Sequence, residues 1–190
     1  MTMEIVPVTP YVHGWLQTKL SDVVIKHLWD GIGDDHEVND KGNMFWANVV
    51  QPHINAYGER FNHEHTKIPL NGEFQTHLDK LSVCYHDKHE WYPFNNENGM
   101  YSFIIWMKIP TYHKEQNELS NAKNARMQLN SAFTFQYLDT LGDIITHSYE
   151  MNPDMEGTML FFPSKMMYSI NPFYECDDQR ISIIGTVKVQ

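Results

Sequence analysis

Three short β-type runs close the last third of the chain, and they constrain its fold more than any other feature. Within residues 157–189 an apolar run over 158–162 stops at Pro163, and a second over 166–170 stops ahead of Pro172. An Ile-rich, β-branched run over 181–189 then leads to the C-terminus. Proline cannot donate to a ladder, so each one marks where a strand must end. Runs this short bury their faces only by stacking on further strands, and a β-sandwich is the expected result. Arg180 opens the last run. Its forked, permanently charged guanidinium suits a carboxylate held in a cleft, although strand position alone favours an exposed strand-end arginine.

The preceding chain supplies the remaining layers. Leu20, Val23, Val24, His27, Leu28 and Ile32 share one face at helical spacing, predicting a helix over 18–32 that Gly31 and Gly33 end. A polar connection over 34–41 leads to a second helix over 44–57, with Pro52 imposing a kink or an early stop. From residue 70 the period shortens. Residues 81–85 alternate, 100–107 form a nearly unbroken β-type run that reads as a central strand, and 132–137 and 143–147 alternate again. Residues 111–129 are polar and read as an inserted surface loop with a short helix over 122–129. The expectation is one domain, mainly β with N-terminal helices (α+β). Residues 1–69 form a helical part packed on the sheet, and residues 70–190 form a jelly roll.

Charge and composition remove several classes of function. The formal net charge is −10, from 24 acidic residues against 14 Lys and Arg with no basic block, which disfavours nucleic acid as a partner. No apolar run approaches the roughly 20 residues that span a bilayer, and residues 1–10 lack the organisation of a signal peptide, so no membrane partner is expected. Cys84 and Cys176 are read as free thiols. An aromatic share of 13% suits sheet faces and a pocket.

Eleven histidines invite a metal reading. His63-Glu64-His65 places two imidazoles at i and i+2, yet its polar surroundings favour a solvated loop and no third ligand follows from spacing. The segment His86-Asp87-Lys88-His89 is similarly polar. There is no nucleophile elbow, phosphate loop or zinc-type cysteine pair.

Two blocks, 81–110 and 157–185, carry a more specific pattern in Glu90, Pro93, Gly99, Ser102, Phe103, Gly157, Phe162, Pro163, Pro172, Phe173, Arg180, Ile181 and Ser182. In order and spacing this pattern resembles the phage-encoded 2-oxoglutarate/Fe(II) oxygenase-like proteins common in cyanophages. The resemblance implies a double-stranded β-helix in which two histidines and a carboxylate hold Fe(II). It also implies that Arg180 and Ser182, on one face of a strand at i and i+2, receive the far carboxylate of 2-oxoglutarate.

At the three metal positions the chain departs from the family. They fall on Asn95, Glu97 and Tyr168. Only Glu97 is an ordinary ligand for Fe(II), and no imidazole remains at these places; His89 and His147 are the nearby histidines that an altered register would bring in. The resemblance thus implies a degenerate member, phage-encoded, located in the host cytoplasm or the virion. Such a protein keeps 2-oxoglutarate as its possible cofactor, has little affinity for Fe(II), and acts as a binding or structural component. An active dioxygenase with unusual ligands and a virion or assembly protein are the alternatives. A protein partner or a second copy of the chain is the expected docking target, with Trp91, Tyr92 and Phe94 as contact candidates unless they belong to the core. Tyr168 should fill the vacated space, its hydroxyl bonded to Asn95 or Glu97.

Overall fold

The computed structural model describes residues 14–61 and 75–190, and His63-Glu64-His65 and the expected boundary at residue 70 lie outside them. Nine strands occur among the described residues: β1 (Leu16–Lys19), β2 (Thr76–His86), β3 (Tyr92–Asn95), β4 (Tyr101–Lys108), β5 (Ala132–Leu138), β6 (Ile144–Glu150), β7 (Thr158–Pro163), β8 (Met167–Ile170) and β9 (Arg180–Val189). They form a five-stranded sheet in the order β1-β7-β4-β9-β2 and a four-stranded sheet in the order β3-β8-β5-β6. All pairings are antiparallel, and the partners nest: β2 with β9, β3 with β8, β4 with β7 and β5 with β6. First with last and second with second-last is the winding of a double-stranded β-helix, the jelly roll expected from the sequence.

Strand β4 shows why its run reads without alternation. It lies between β7 and β9, and it is covered on both faces. Phe103, Ile105 and Met107 face a cluster built with the helices, including Leu28, Phe45, Val50 and Tyr57. Ile104 and Trp106 face the other way, into the space between the sheets, with Phe133, Phe135, Leu160, Phe162, Tyr168 and Ile170. A strand buried on both sides has no polar face to write into its sequence. Gly185 of β9, opposite Phe103, permits the closest approach in this core. A Cβ there would lie 2.1 Å from the tip of the Phe103 ring.

The helices are α1 (Asp22–Gly31), α2 (Gln51–Phe61) and the short α3 (His113–Glu118). Pro52 does not end its helix. A π-helical turn, Trp46–Val50, runs directly into α2, and Gln51 N–H reaches back to the Trp46 carbonyl. That widened turn falls where the missing proline N–H would otherwise break the ladder. Asp40 organises the approach, its carboxylate accepting from the Phe45 and Trp46 amides at 2.8 Å each.

Two further expectations differ from the structure. Thr18 and Lys19, expected at the start of a helix, instead end β1, where hydrogen bonding to β7 outweighs the local helical pattern. The short helix expected over 122–129 forms at His113–Glu118, and His113, Gln116 and Asn117 are buried. This segment is therefore anchored and is not a surface insertion. The Asn117 amide donates to the carbonyls of His113 and Asn130 and accepts from the Asn130 N–H, while Gln116 bonds both backbone groups of Tyr174. Polar side chains that satisfy backbone groups are compatible with burial, which a polar composition alone does not reveal. No helix among the described residues is long and apolar enough to cross a membrane.

Candidate functional site

Ladder geometry sets the site at one end of the space between the sheets. On β9, Arg180, Ser182 and Ile184 share the inner face, because side chains alternate along a strand. On β2 the inner residues are their partners: His86 opposite Arg180, and Cys84 opposite Ser182. Trp106 of β4 flanks Ser182 from the other side. Facing them from the four-stranded sheet are Tyr92 on β3 and Tyr168 on β8.

Arg180 is 1% exposed, and no carboxylate reaches it among the described residues. Its Nη1 donates to the Asn171 carbonyl at 3.0 Å and its Nη2 to Ser131 Oγ at 2.9 Å, while Phe173 lies under the guanidinium at 4.8 Å. Among the described residues Nε has no partner, nor does the buried indole nitrogen of Trp106. Burial lowers the Arg180 pKa to about 10, so the group stays charged at neutral pH. An uncompensated buried cation with a spare donor is costly unless an anion completes it. Ser131, which also bonds Thr111 Oγ1 at 3.0 Å, adopts a positive φ of 52°.

Ser182 is fully buried, with its Oγ 3.5 Å from His86 Nε2. His86 is half-buried, and its pKa falls to about 4 through burial and the neighbouring Arg180 charge, partly offset by Glu90. Burial raises the Cys84 pKa. Reading 86–89 as a uniformly polar segment misplaces His86. It is the last residue of β2 and points inward, whereas Asp87, Lys88 and His89 are exposed. The signal was the Ser82, Cys84, His86 alternation, continuing the face opposite Leu81, Val83 and Tyr85. Trp106, Ser131 and Asn171 had no such signal, since their contacts with the site come from different strands and turns.

The second half of the site is a closed hydrogen-bonded group. Asn95 and Tyr168 are ladder partners. The Tyr168 hydroxyl donates to Glu97 Oε1 at 2.7 Å, the contact expected from the sequence. Tyr168 is completely buried, with its ring stacked on Tyr92 at 5.6 Å and flanked by Phe133 and Phe162. The Asn95 amide donates to the Tyr92 hydroxyl at 3.0 Å. Glu97 is placed by the turn between β7 and β8: its N–H donates to the Ser164 carbonyl at 2.9 Å. Burial first, and then the bond to Glu97, hold the Tyr168 proton well above its ordinary range. The phenol is therefore a neutral donor and not a phenolate.

These donors do not fit the iron set that the sequence resemblance implies. One carboxylate oxygen is occupied by a phenol proton, the amide is turned toward Tyr92, and no imidazole among the described residues joins them in a metal-ligating group. His89 is exposed in the turn after β2, with its ring edge against Tyr174. His147 is exposed on β6 against Trp15 and Tyr149. Among the described residues no three His, Cys, Asp or Glu side chains converge as a metal set. Of the aromatic contact candidates, Tyr92 belongs to the site, Phe94 is half-buried and Trp91 is 61% exposed.

No family model matches the chain, and no curated protein matches it. Among solved structures, a Pseudomonas putida prolyl-4-hydroxylase aligns over 93% of this chain and 88% of its own at 12% identity, with a TM-score of 0.47. An oxidoreductase of the 2OG-Fe(II) oxygenase family from Burkholderia pseudomallei aligns over 78% of this chain at 8% identity, with a TM-score of 0.46. The alignment spans 57% of that oxidoreductase. At these scores the jelly-roll assignment stands on strand order and pairing alone.

Proposed function

We propose that this protein is a carboxylate receptor on a 2-oxoglutarate oxygenase type of jelly roll, kept as a binding or structural component and not as an iron enzyme. The observation that carries this reading is Arg180, a buried, charged guanidinium with no carboxylate partner among the described residues and a spare Nε donor. Ser182 shares its face, and the two suit the carboxylate end of a 2-oxo diacid such as 2-oxoglutarate. The closed Tyr168–Glu97 pair supports the second half of the reading, because it occupies the donors that the reaction would need for its metal. A phage origin, and a place in the host cytoplasm or virion, belong to this reading through the resemblance of the two sequence blocks.

Calorimetric titration of the chelator-treated protein with 2-oxoglutarate tests the receptor. Saturable binding that weakens roughly tenfold or more in Arg180→Ala is the expected result, as charge-assisted bonds to a carboxylate are the strong ones. Undiminished binding by that variant overturns the assignment to Arg180. Succinate release after adding Fe(II), ascorbate and 2-oxoglutarate, above that of the protein-free mixture, overturns the claim that the chain is not an iron enzyme.

A further inference from the structure

The cradle around Arg180 contains one group that the carboxylate receptor does not by itself require, the His86 imidazole. His86 is the cross-strand partner of Arg180 at the end of the β2–β9 ladder, and both side chains point between the sheets. Its Nε2 approaches Ser182 Oγ, so imidazole, hydroxyl and guanidinium form a contiguous set on the inner face. We infer that His86 is a proton-accepting arm of this receptor, and that a carboxylate entering the cradle is bound together with one proton taken up by the imidazole. The inference rests on the carboxylate-receptor reading above and adds to it a third residue and a pH dependence.

The electrostatics follow from what faces the ring. Arg180 stands across the ladder, Glu90 lies in the turn beyond β2, and Cys84 is two residues back on the same face. On the facing sheet Glu97 is bonded to Tyr168, while on the rim Asp177 pairs with Lys88 and Asp178 with Lys108. Without ligand, burial and the Arg180 charge keep the ring neutral through the physiological range. A carboxylate on Arg180 cancels the second of these influences and adds an attraction of its own, so the ring's proton affinity rises. The proton comes from solvent to the unprotonated ring nitrogen. A protonated Nε2 donates to Ser182 Oγ, which turns the serine hydroxyl proton outward to the ligand. The ligand then meets Arg180 and Ser182 as donors, with an imidazolium behind the serine. Binding coupled to proton uptake tightens as pH falls, by at most about tenfold per pH unit for one proton.

The test is the dissociation constant of 2-oxoglutarate for the chelator-treated full chain at pH 7.5, 6.5 and 5.5, for wild type and His86→Gln. The ligand's carboxylates and Arg180 keep their charge over this range. Wild type should tighten several-fold between pH 7.5 and 5.5, and His86→Gln should stay flat. Because that variant could also lose structure, the wild-type His86 ring carbon shift is followed by NMR. It should report a neutral ring at pH 6 without ligand and a protonated ring at saturation. Binding with no pH dependence, the same slope in both proteins, or a ring that stays neutral at saturation overturns the role of His86 and leaves the receptor intact. Absence of binding by the folded wild type at every pH overturns the receptor and this inference together.

Discussion

At the scale of single residues, the site is decided by what Tyr168 and Arg180 each lack. Tyr168 lacks the imidazole that would hold a metal, and its phenol instead saturates Glu97. Arg180 lacks a carboxylate partner among the described residues. Because Asn95 and Tyr168 are ladder partners with Glu97 in reach, two substitutions reconstruct a two-imidazole, one-carboxylate set. Asn95→His combined with Tyr168→His should raise Mn(II) affinity roughly tenfold or more over the parent protein, since paired imidazoles with a carboxylate are the competent donors for such a metal. Electron paramagnetic resonance of free Mn(II) reads the change. An affinity equal to that of the parent would show that the three positions do not converge as the ladder implies.

At the scale of elements, the five-stranded sheet owes its closeness to β9. Gly185 lets the buried Phe103 ring lie directly on its backbone, 2.1 Å from where a Cβ would stand. The ring lies within a packed layer between sheet and helices and has little room to retreat. Gly185→Ala should therefore destabilise the protein by roughly 1–3 kcal/mol, the usual cost of overpacking a filled core. Urea denaturation measures it, with a lower midpoint and an unchanged slope expected. A midpoint equal to that of wild type would mean that Phe103 repacks freely. The π turn ahead of Pro52 belongs to the same scale. A proline inside a helical pattern reads as a break, and only the geometry of the preceding turn removes the conflict.

At the scale of the whole molecule, the buried inner face links folding to pH. His86 titrates near its ordinary 6.5 in the unfolded chain and near 4 in the folded one, because burial and Arg180 oppose its charge. Between those values the unfolded chain binds the proton and the folded chain does not. The neutral ring's contribution is thus fully present above pH 6.5 and is lost as pH falls toward 4, by roughly 3 kcal/mol at the low end. Chemical denaturation at pH 7 and pH 4.5 should show this loss in wild type and a smaller one in His86→Gln. Equal losses in the two proteins would place the pH sensitivity elsewhere.

The longer strands and the jelly-roll class were legible beforehand, because proline stops, β-branched runs and the unbroken run of β4 are local consequences of ladder geometry and burial; the order of strands within each sheet was not. Asn95, Glu97, Tyr168, Arg180 and Ser182 were singled out only through the resemblance of the two sequence blocks, which assigns them positions in a known pattern. The partners of Arg180 were not legible, for Asn171 and Ser131 come from separate segments, whereas the inward turn of His86 was signalled only by its alternation with Ser82 and Cys84. The anchoring of α3 was hidden as the partners of Arg180 were, its buried amides being satisfied by Asn130 and Tyr174 at a distance. By itself the sequence determined where most of the longer strands run and stop, since that depends on near neighbours. Only the tertiary structure decided which residues are buried together, because desolvation and ladder register depend on segments far apart in the chain.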